Sequence, residues 1–233
     1  MLSQRSAPGS SARTWRILIV DDHPIVRTGL ATLIDVEPDL EVCGQAEDYG
    51  EALKAIEREA PDLVIVDLSL RESSGLELLK EATRRAVKAI VVSMHDEATW
   101  AERALAAGAR GYLHKSEAGR NVVDAIRKVR AGRLYVSGAI SEVLLERRAS
   151  AGLRATAEGS RIAALTDREL EVFERIGRGL TTRRIAAELH VSSKTVQTYR
   201  ERIKQKLALQ TSAELSSEAT RFVVERASSS ASD

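Results

Sequence analysis

The chain has 233 residues, of which 43% are hydrophobic and 30% charged, with a formal net charge of +1. That length and composition fit two globular domains and exclude a fibrous or wholly disordered protein. No apolar run approaches the ~20 residues needed to cross a bilayer, and the Ser/Arg/Gly/Pro-rich start has no secretory apolar segment, so a cytoplasmic protein without a membrane role is expected.

From residue 16 to residue 131 short apolar runs alternate with amphipathic stretches. The runs are ILIV (17–20), LEVCG (40–44), DLVIVD (62–67), KAIVVS (88–93) and RGYLH (110–114). Between them lie segments with helical spacing, such as Ile25, Leu30, Leu33 and Ile34, or Leu76, Leu78 and Leu79. Strands buried on both faces read as continuous apolar runs, so five such β–α repeats predict an α/β fold, a five-stranded doubly wound parallel sheet. The lone Cys43 falls in the second run and reads as a small apolar strand residue.

In such a sheet ligands gather beyond the carboxyl ends of the strands. Those ends deliver Asp21 and Asp22, then Asp67, then Ser93, then Lys115. Two carboxylates about 4 Å apart repel by roughly 4 kcal/mol at an effective dielectric near 20, so a cation must relieve them. Hard carboxylate oxygens suit Mg²⁺, and without a His/Cys cluster zinc is disfavoured. Lys115 can pair with a phosphoryl oxygen and Ser93 can donate to one. A carboxylate can itself attack phosphorus, and Asp67, ending the central strand, is best placed for that. Singly, each of these residues reads as an ordinary solvated turn; it is their joint placement that points to phosphoryl chemistry. His23 reads as part of the helix start, with Pro24 at a first-turn position, while His95, Trp100 and His114 read as loop or rim residues.

IVDDHP, VIVDLSL, VVSMHD and GARGYLHK together resemble the receiver domain of bacterial two-component response regulators over about residues 15–133. The resemblance implies that Asp67 accepts a phosphoryl group from a sensor histidine kinase. Asp22, Asp67 and the backbone carbonyl of Ser69 would surround Mg²⁺ with Asp21 assisting, Ser93 and Lys115 would bind the phosphoryl group, and Tyr112 would be the switching aromatic, drawn inward with Ser93. One departure stands out: where relatives carry a proline three or four residues after the phosphoacceptor, this chain has Leu70 and Arg71.

Residues 147–162 (RRASAGLRATAEGSRI) lack periodicity and read as a linker, with a possible helix from Ser137 before it. The expected division is a receiver over 14–133, a helix and linker over 134–160, and a small all-α domain over 161–226. Charge divides likewise: residues 14–137 carry 17 Lys/Arg against 21 Asp/Glu, and residues 161–226 carry 13 against 9. Thr166 to Glu169 has capping-box form, Thr181 and Ser192 read as N-caps, and a fourth helix is expected from about Ser212 to Arg226.

The segment LTDRELEVFERIGRGLTTRRIAAELHVSSKTVQTYRERIKQKL follows helix-turn-helix grammar and resembles the LuxR-type DNA-binding domain; with the receiver, the whole is similar to NarL/FixJ-type regulators. A helical wheel turns Val196, Ile203 and Leu207 to the core and Lys194, Gln197, Thr198 and Glu201 outward, where they suit base edges. Thr195, Tyr199, Arg200, Arg202, Lys204, Arg183 and Arg184 suit phosphates. Leu215, Ala219, Phe222 and Val223 form an apolar stripe, read either as packing within the domain or, by resemblance, as a dimer face. The expectation is a phosphorylation-dependent transcriptional regulator binding double-stranded DNA as a homodimer, with no separate substrate. Two rivals are an aspartate-nucleophile phosphohydrolase, which commonly carries an acid where Ser69 stands, and a regulator acting through protein contacts alone.

Overall fold

The computed structural model describes residues 13–70, 75–95, 97–138, 140–142, 162 and 164–230. Five strands form one sheet: β1 (Trp15–Val20), β2 (Leu40–Ala46), β3 (Leu63–Val66), β4 (Lys88–Ser93) and β5 (Gly111–His114). All pair in parallel in the order β2-β1-β3-β4-β5. The crossovers are α1 (Pro24–Asp35), α2 (Tyr49–Glu59), α3 (Gly75–Arg84) and α4 (Glu97–Ala106), with α5 (Lys115–Arg130) following β5.

The alternation of side chains along each strand makes two cores. Ile17, Ile19, Leu63, Ile65, Ile90, Val92 and Leu113 face Leu30 and Ile34 of α1 and Val122 and Ile126 of α5. On the other face Leu18, Val20, Val64, Val66, Val91 and Tyr112 belong with Ala52 and Ile56 of α2, Leu76 and Leu79 of α3, and Trp100 of α4. Each large side chain buried this way contributes about 1.5–3 kcal/mol, which fixes the register and with it the strand ends. Val20 pairs with Val66, and Val66 with Val91, so the residues just beyond β1 and β3 emerge side by side. Gly75 keeps the start of α3 close: a Cβ there would stand 2.2 Å from the carbonyl oxygen of Asp67.

The second half is helical: α6 (Asp167–Gly177), α7 (Thr182–Glu188), α8 (Ser193–Leu207) and α9 (Ser212–Ser230). Thr166 and Glu169 form the expected capping box, and Thr181 and Ser192 cap α7 and α8 through bonds from Arg184 N and Thr195 N. Val196, Ile203 and Leu207 are buried, as the wheel indicates. The α9 stripe packs within the domain: Leu215, Ala219 and Phe222 are buried, and Phe222 meets Phe173 of α6 with ring centroids 5.5 Å apart. Val223, the fourth residue of the stripe, is half-buried at the edge of that packing. Gly177 permits the packing, because a Cβ on it would lie 2.2 Å from the carbonyl of Ala219.

The two halves share one apolar cluster, which runs from Leu70 and Trp100 through Leu165, Leu170 and Phe173. Arg103 of α4 donates to the carbonyls of Leu165 (3.0 Å) and Ile162 (3.3 Å) and to Asp167 (2.8 Å). Residue 138 and residues 140–142 are helical. Arg71 and, apart from Ile162, the linker over 147–162 lie outside the described residues.

Candidate functional site

The strands end where the sequence indicates. Asp21 and Asp22 follow β1, Asp67 follows β3, Ser93 closes β4, and Lys115 opens α5 directly after β5. Asp67 is tied to its neighbour strand by its own N–H, which donates to the carbonyl of Val20 at 2.9 Å. Ligand atoms of Asp21, Asp22, His23 and Asp67 all lie within 4.8 Å of one another. Lys115 Nζ bridges two of these acids, 2.7 Å from Asp67 Oδ2 and 2.7 Å from Asp21 Oδ2. Asp21 and Asp67 are only 2% and 3% exposed, so the pair is held away from bulk screening.

The electrostatics follow from that burial. Desolvation, reinforced by the charge of Asp67, raises the carboxyl of Asp21 above its ordinary value although Lys115 opposes it. Burial works against the charge of Lys115, but Asp67 and Asp21 more than offset it and raise its pKa, so the amine stays cationic. Oδ1 of Asp22 is buried and accepts no hydrogen bond; His23 Nδ1 is 2.5 Å away without the alignment of one. A buried carboxylate oxygen that accepts no hydrogen bond among the described residues, beside two further carboxylates, fits a hard divalent cation such as Mg²⁺.

His23 does more than begin α1. Its N–H donates to Asp21 Oδ1 at 2.9 Å and its ring stands over both acids. Ser69 N–H donates to Asp67 Oδ1 at 3.2 Å, which curls the loop back over the carboxylate. Tyr112 is already inside, 1% exposed, with its hydroxyl donating to the carbonyl of His95 at 2.9 Å. The expected inward swing of that ring therefore has no room to occur from this arrangement. His114 Nδ1 meets Ser116 Oγ at 2.6 Å at the start of α5.

The rim reading of His95 and Trp100 is corrected. They are 4% and 0% exposed, because α6 covers them. Glu174 of α6 accepts from Trp100 Nε1 at 2.7 Å and lies 3.2 Å from His95 Nδ1. Sequence reasoning missed Glu174, and the available signal was the run LEVFERI, in which Glu171 and Glu174 sit among core residues of one helix.

On the opposite half, α8 leaves Lys194, Gln197, Thr198, Glu201 and Arg202 exposed, as are Arg183 and Arg184 of α7. Thr195, Tyr199, Arg200 and Lys204 are half-buried, and Tyr199 packs partly on the core. Docking through α6 thus does not bury the outward face of α8. Gln197 Nε2 reaches Glu201 Oε1 at 3.4 Å and Lys204 pairs with Glu201 at 2.9 Å, an arrangement that presents donors and an acceptor together.

Residues 17–127 match the response regulator receiver domain family, and residues 163–219 match the luxR family of bacterial regulatory proteins. The chain is 36% identical to the transcriptional regulatory protein UhpA of Salmonella typhimurium, over 85% of this chain and 94% of that protein. It is 33% identical to the response regulator UvrY of Escherichia coli, over 85% of this chain and 90% of that one. A solved two-component response regulator of the LuxR family from an Aurantimonas species superposes with a TM-score of 0.54 at 37% identity, covering 58% of this chain and 99% of that chain.

Proposed function

Because the chain belongs to the two-component response regulators that join a receiver domain to a LuxR-type DNA-binding domain, and so is a transcriptional regulator, we infer that its activity is switched by phosphorylation of Asp67. The observation that carries this reading is the bridge from Lys115 Nζ to Asp67 and Asp21, beside a buried Asp22 oxygen that accepts no hydrogen bond among the described residues. The receiver is assigned to residues 14–133 and the DNA-binding domain to 161–226, joined by a helix and linker over 134–160.

In the transfer step a carboxylate oxygen of Asp67 attacks the phosphorus of a phosphohistidine on the sensor kinase. The new O–P bond forms as the P–N bond breaks, and the electron pair returns to the departing imidazole. Asp21, Asp22, Asp67 and the carbonyl of Ser69 would hold Mg²⁺, which when bound offsets the charge of the phosphoryl oxygens. Lys115 exchanges its bond to Asp67 for one to a phosphoryl oxygen, and Ser93 Oγ donates to another.

The output is double-stranded DNA, read in the major groove by Lys194, Gln197, Thr198 and Glu201. Thr195, Tyr199, Arg200, Arg202, Lys204, Arg183 and Arg184 are assigned to the phosphates. A homodimer reads two half-sites in the cytoplasm. Moving a two-state switch from 1:99 to 99:1 takes about 5.5 kcal/mol of differential stabilisation, a scale that a doubly charged group paired with Lys115 and Mg²⁺ can supply. A phosphohydrolase is disfavoured, since Ser69 occupies the place of a second acid and its hydroxyl is engaged with His95 at 2.9 Å.

The test is incubation of the full chain with a small-molecule phosphodonor and Mg²⁺, followed by intact-mass and peptide mapping. One phosphoryl group on Asp67 in wild type, and none in Asp67→Asn, is the expected result. Labelling elsewhere, or continuous turnover of the donor without an acyl phosphate, would overturn it.

A further inference from the structure

His95 stands between the two halves with every polar atom engaged. Its N–H donates to Ser93 Oγ at 3.3 Å, and its carbonyl accepts from Tyr112 Oη at 2.9 Å. Its ring Nε2 is 2.9 Å from Ser69 Oγ, on the loop that follows Asp67, and Nδ1 is 3.2 Å from Glu174 Oε2. The second oxygen of Glu174 accepts from Trp100 Nε1 at 2.7 Å, and the rings of His95 and Trp100 meet with centroids 4.6 Å apart. Glu174 is 4% exposed, and although burial alone opposes its charge, the bond to His95 leads the contacts that bring its carboxyl below the ordinary value.

We propose that Glu174 is the latch that holds the DNA-binding half on the receiver, and that His95 is the residue through which the phosphorylation site opens it. The proposal rests on the assignment of Asp67 as phosphoacceptor. Three of the four groups holding His95 belong to that site: Ser93 and Tyr112 fix its backbone, and Ser69 fixes one ring nitrogen. The fourth is Glu174, 79 residues away on α6. When Ser93 Oγ turns to a phosphoryl oxygen it withdraws from the N–H of His95, and a shift of the Ser69 loop around the enlarged carboxylate withdraws the ring bond. The ring then no longer meets Glu174 in its fixed orientation. A buried carboxylate that loses such a partner is strongly destabilised where it stands, so α6 leaves.

Two neighbouring contacts make the latch specific to this seam. Arg168 of α6 lies 3.4 Å from the carbonyl of Leu70, and Leu70 is 3% exposed within the shared apolar cluster. The loop after Asp67, where a proline would be usual, thus carries a leucine that the DNA-binding half covers. Coupling of this kind is reciprocal: if phosphorylation opens the latch, opening the latch by mutation favours phosphorylation by the same factor.

The test uses the full chain in a Trp15→Phe background, so that Trp100 is the only indole, with Glu174→Ala and the milder Glu174→Gln. In the parent, phosphodonor with Mg²⁺ is expected to red-shift Trp100 emission as the indole loses its cover. Glu174→Ala is expected to show that shift without donor, with Glu174→Gln intermediate, and with at least about a tenfold change in the ratio of open to docked molecules. It is also expected to raise the fraction of Asp67 phosphorylated at limiting donor. Unchanged emission and unchanged phosphorylation in a Glu174→Ala protein that melts as one folded species would overturn the latch. Labelling of Asp67 that leaves Trp100 emission fixed in the parent would overturn the link through His95 while leaving the phosphoacceptor assignment intact. A donor that fails to label Asp67, with Glu174→Ala still opening the chain, would overturn that assignment and support the latch alone.

Discussion

Lys115 and Asp67 meet at 2.7 Å, and the same amine reaches Asp21 at 2.7 Å, so one buried cation holds together two acids from different strands. If Asp67 is phosphorylated as proposed, a phosphoryl oxygen would compete with Asp67 for Lys115, and Mg²⁺ held by the acids would offset the carboxylate charge that Lys115 then leaves uncompensated.

Asp21 stores a cost that mutation can expose. Burial and then the charge of Asp67 raise its carboxyl above 3.8, so the ionised form is disfavoured in the fold. Folding stability therefore falls as pH rises from about 3.8 through the raised value, and the cost is present in full above that value. Asp21→Asn is expected to raise the melting temperature at pH 7 by a few degrees and to weaken Mg²⁺ binding by about tenfold or more. Calorimetry and a Mg²⁺ titration check the pair, and a lowered melting temperature with undiminished Mg²⁺ affinity is the contrary result.

Glu169 has the opposite sign. Burial opposes its charge, but Lys206 Nζ at 2.6 Å and the N–H of Thr166 at 2.8 Å bring its carboxyl below the ordinary 4.5. Its contribution is present above about 4.5 and is lost as pH falls through the lowered value. Glu169→Gln is expected to cost about 1–3 kcal/mol at pH 7, since it loosens the capping box and strands Lys206. Melting curves of the variant and wild type should converge in acid; a constant gap at every pH would show that the charge is immaterial.

The two kinds of residue on the DNA-binding half should separate in binding assays. Gln197→Ala, on the outward face of α8, is expected to relax preference at one base position by about 1–3 kcal/mol. Arg183→Ala is expected to weaken binding evenly across sequences and to lower the salt slope by about 0.9. Loss of discrimination in Arg183→Ala, or a changed slope with intact specificity in Gln197→Ala, would reverse the assignments.

The parallel sheet and the acid pocket were legible because they are local: each apolar run ends at its own chemistry, and period and turn chemistry place Asp21, Asp67, Ser93 and Lys115 on one edge. The caps at Thr166, Thr181 and Ser192 were legible for the same reason. The seam was not. A glutamate between Phe173 and Arg175 reads as a solvated face until α4 and His95 cover it, and that cover comes from residues more than seventy positions away. Trp100 and His95 read as rim for the complementary reason, since nothing near them in sequence announces α6. The α9 stripe was ambiguous because an apolar face looks alike whether its own domain or a second copy buries it; Phe173 and Gly177 account for the part that packs within the domain.

The most direct measurement is the affinity of the full chain for duplexes selected from bound genomic fragments, with and without phosphodonor and Mg²⁺, in wild type and Asp67→Asn side by side. The account predicts that wild type tightens by about tenfold or more with donor and that Asp67→Asn does not respond. An equal gain in both proteins, or no binding to any duplex under either condition, would contradict it.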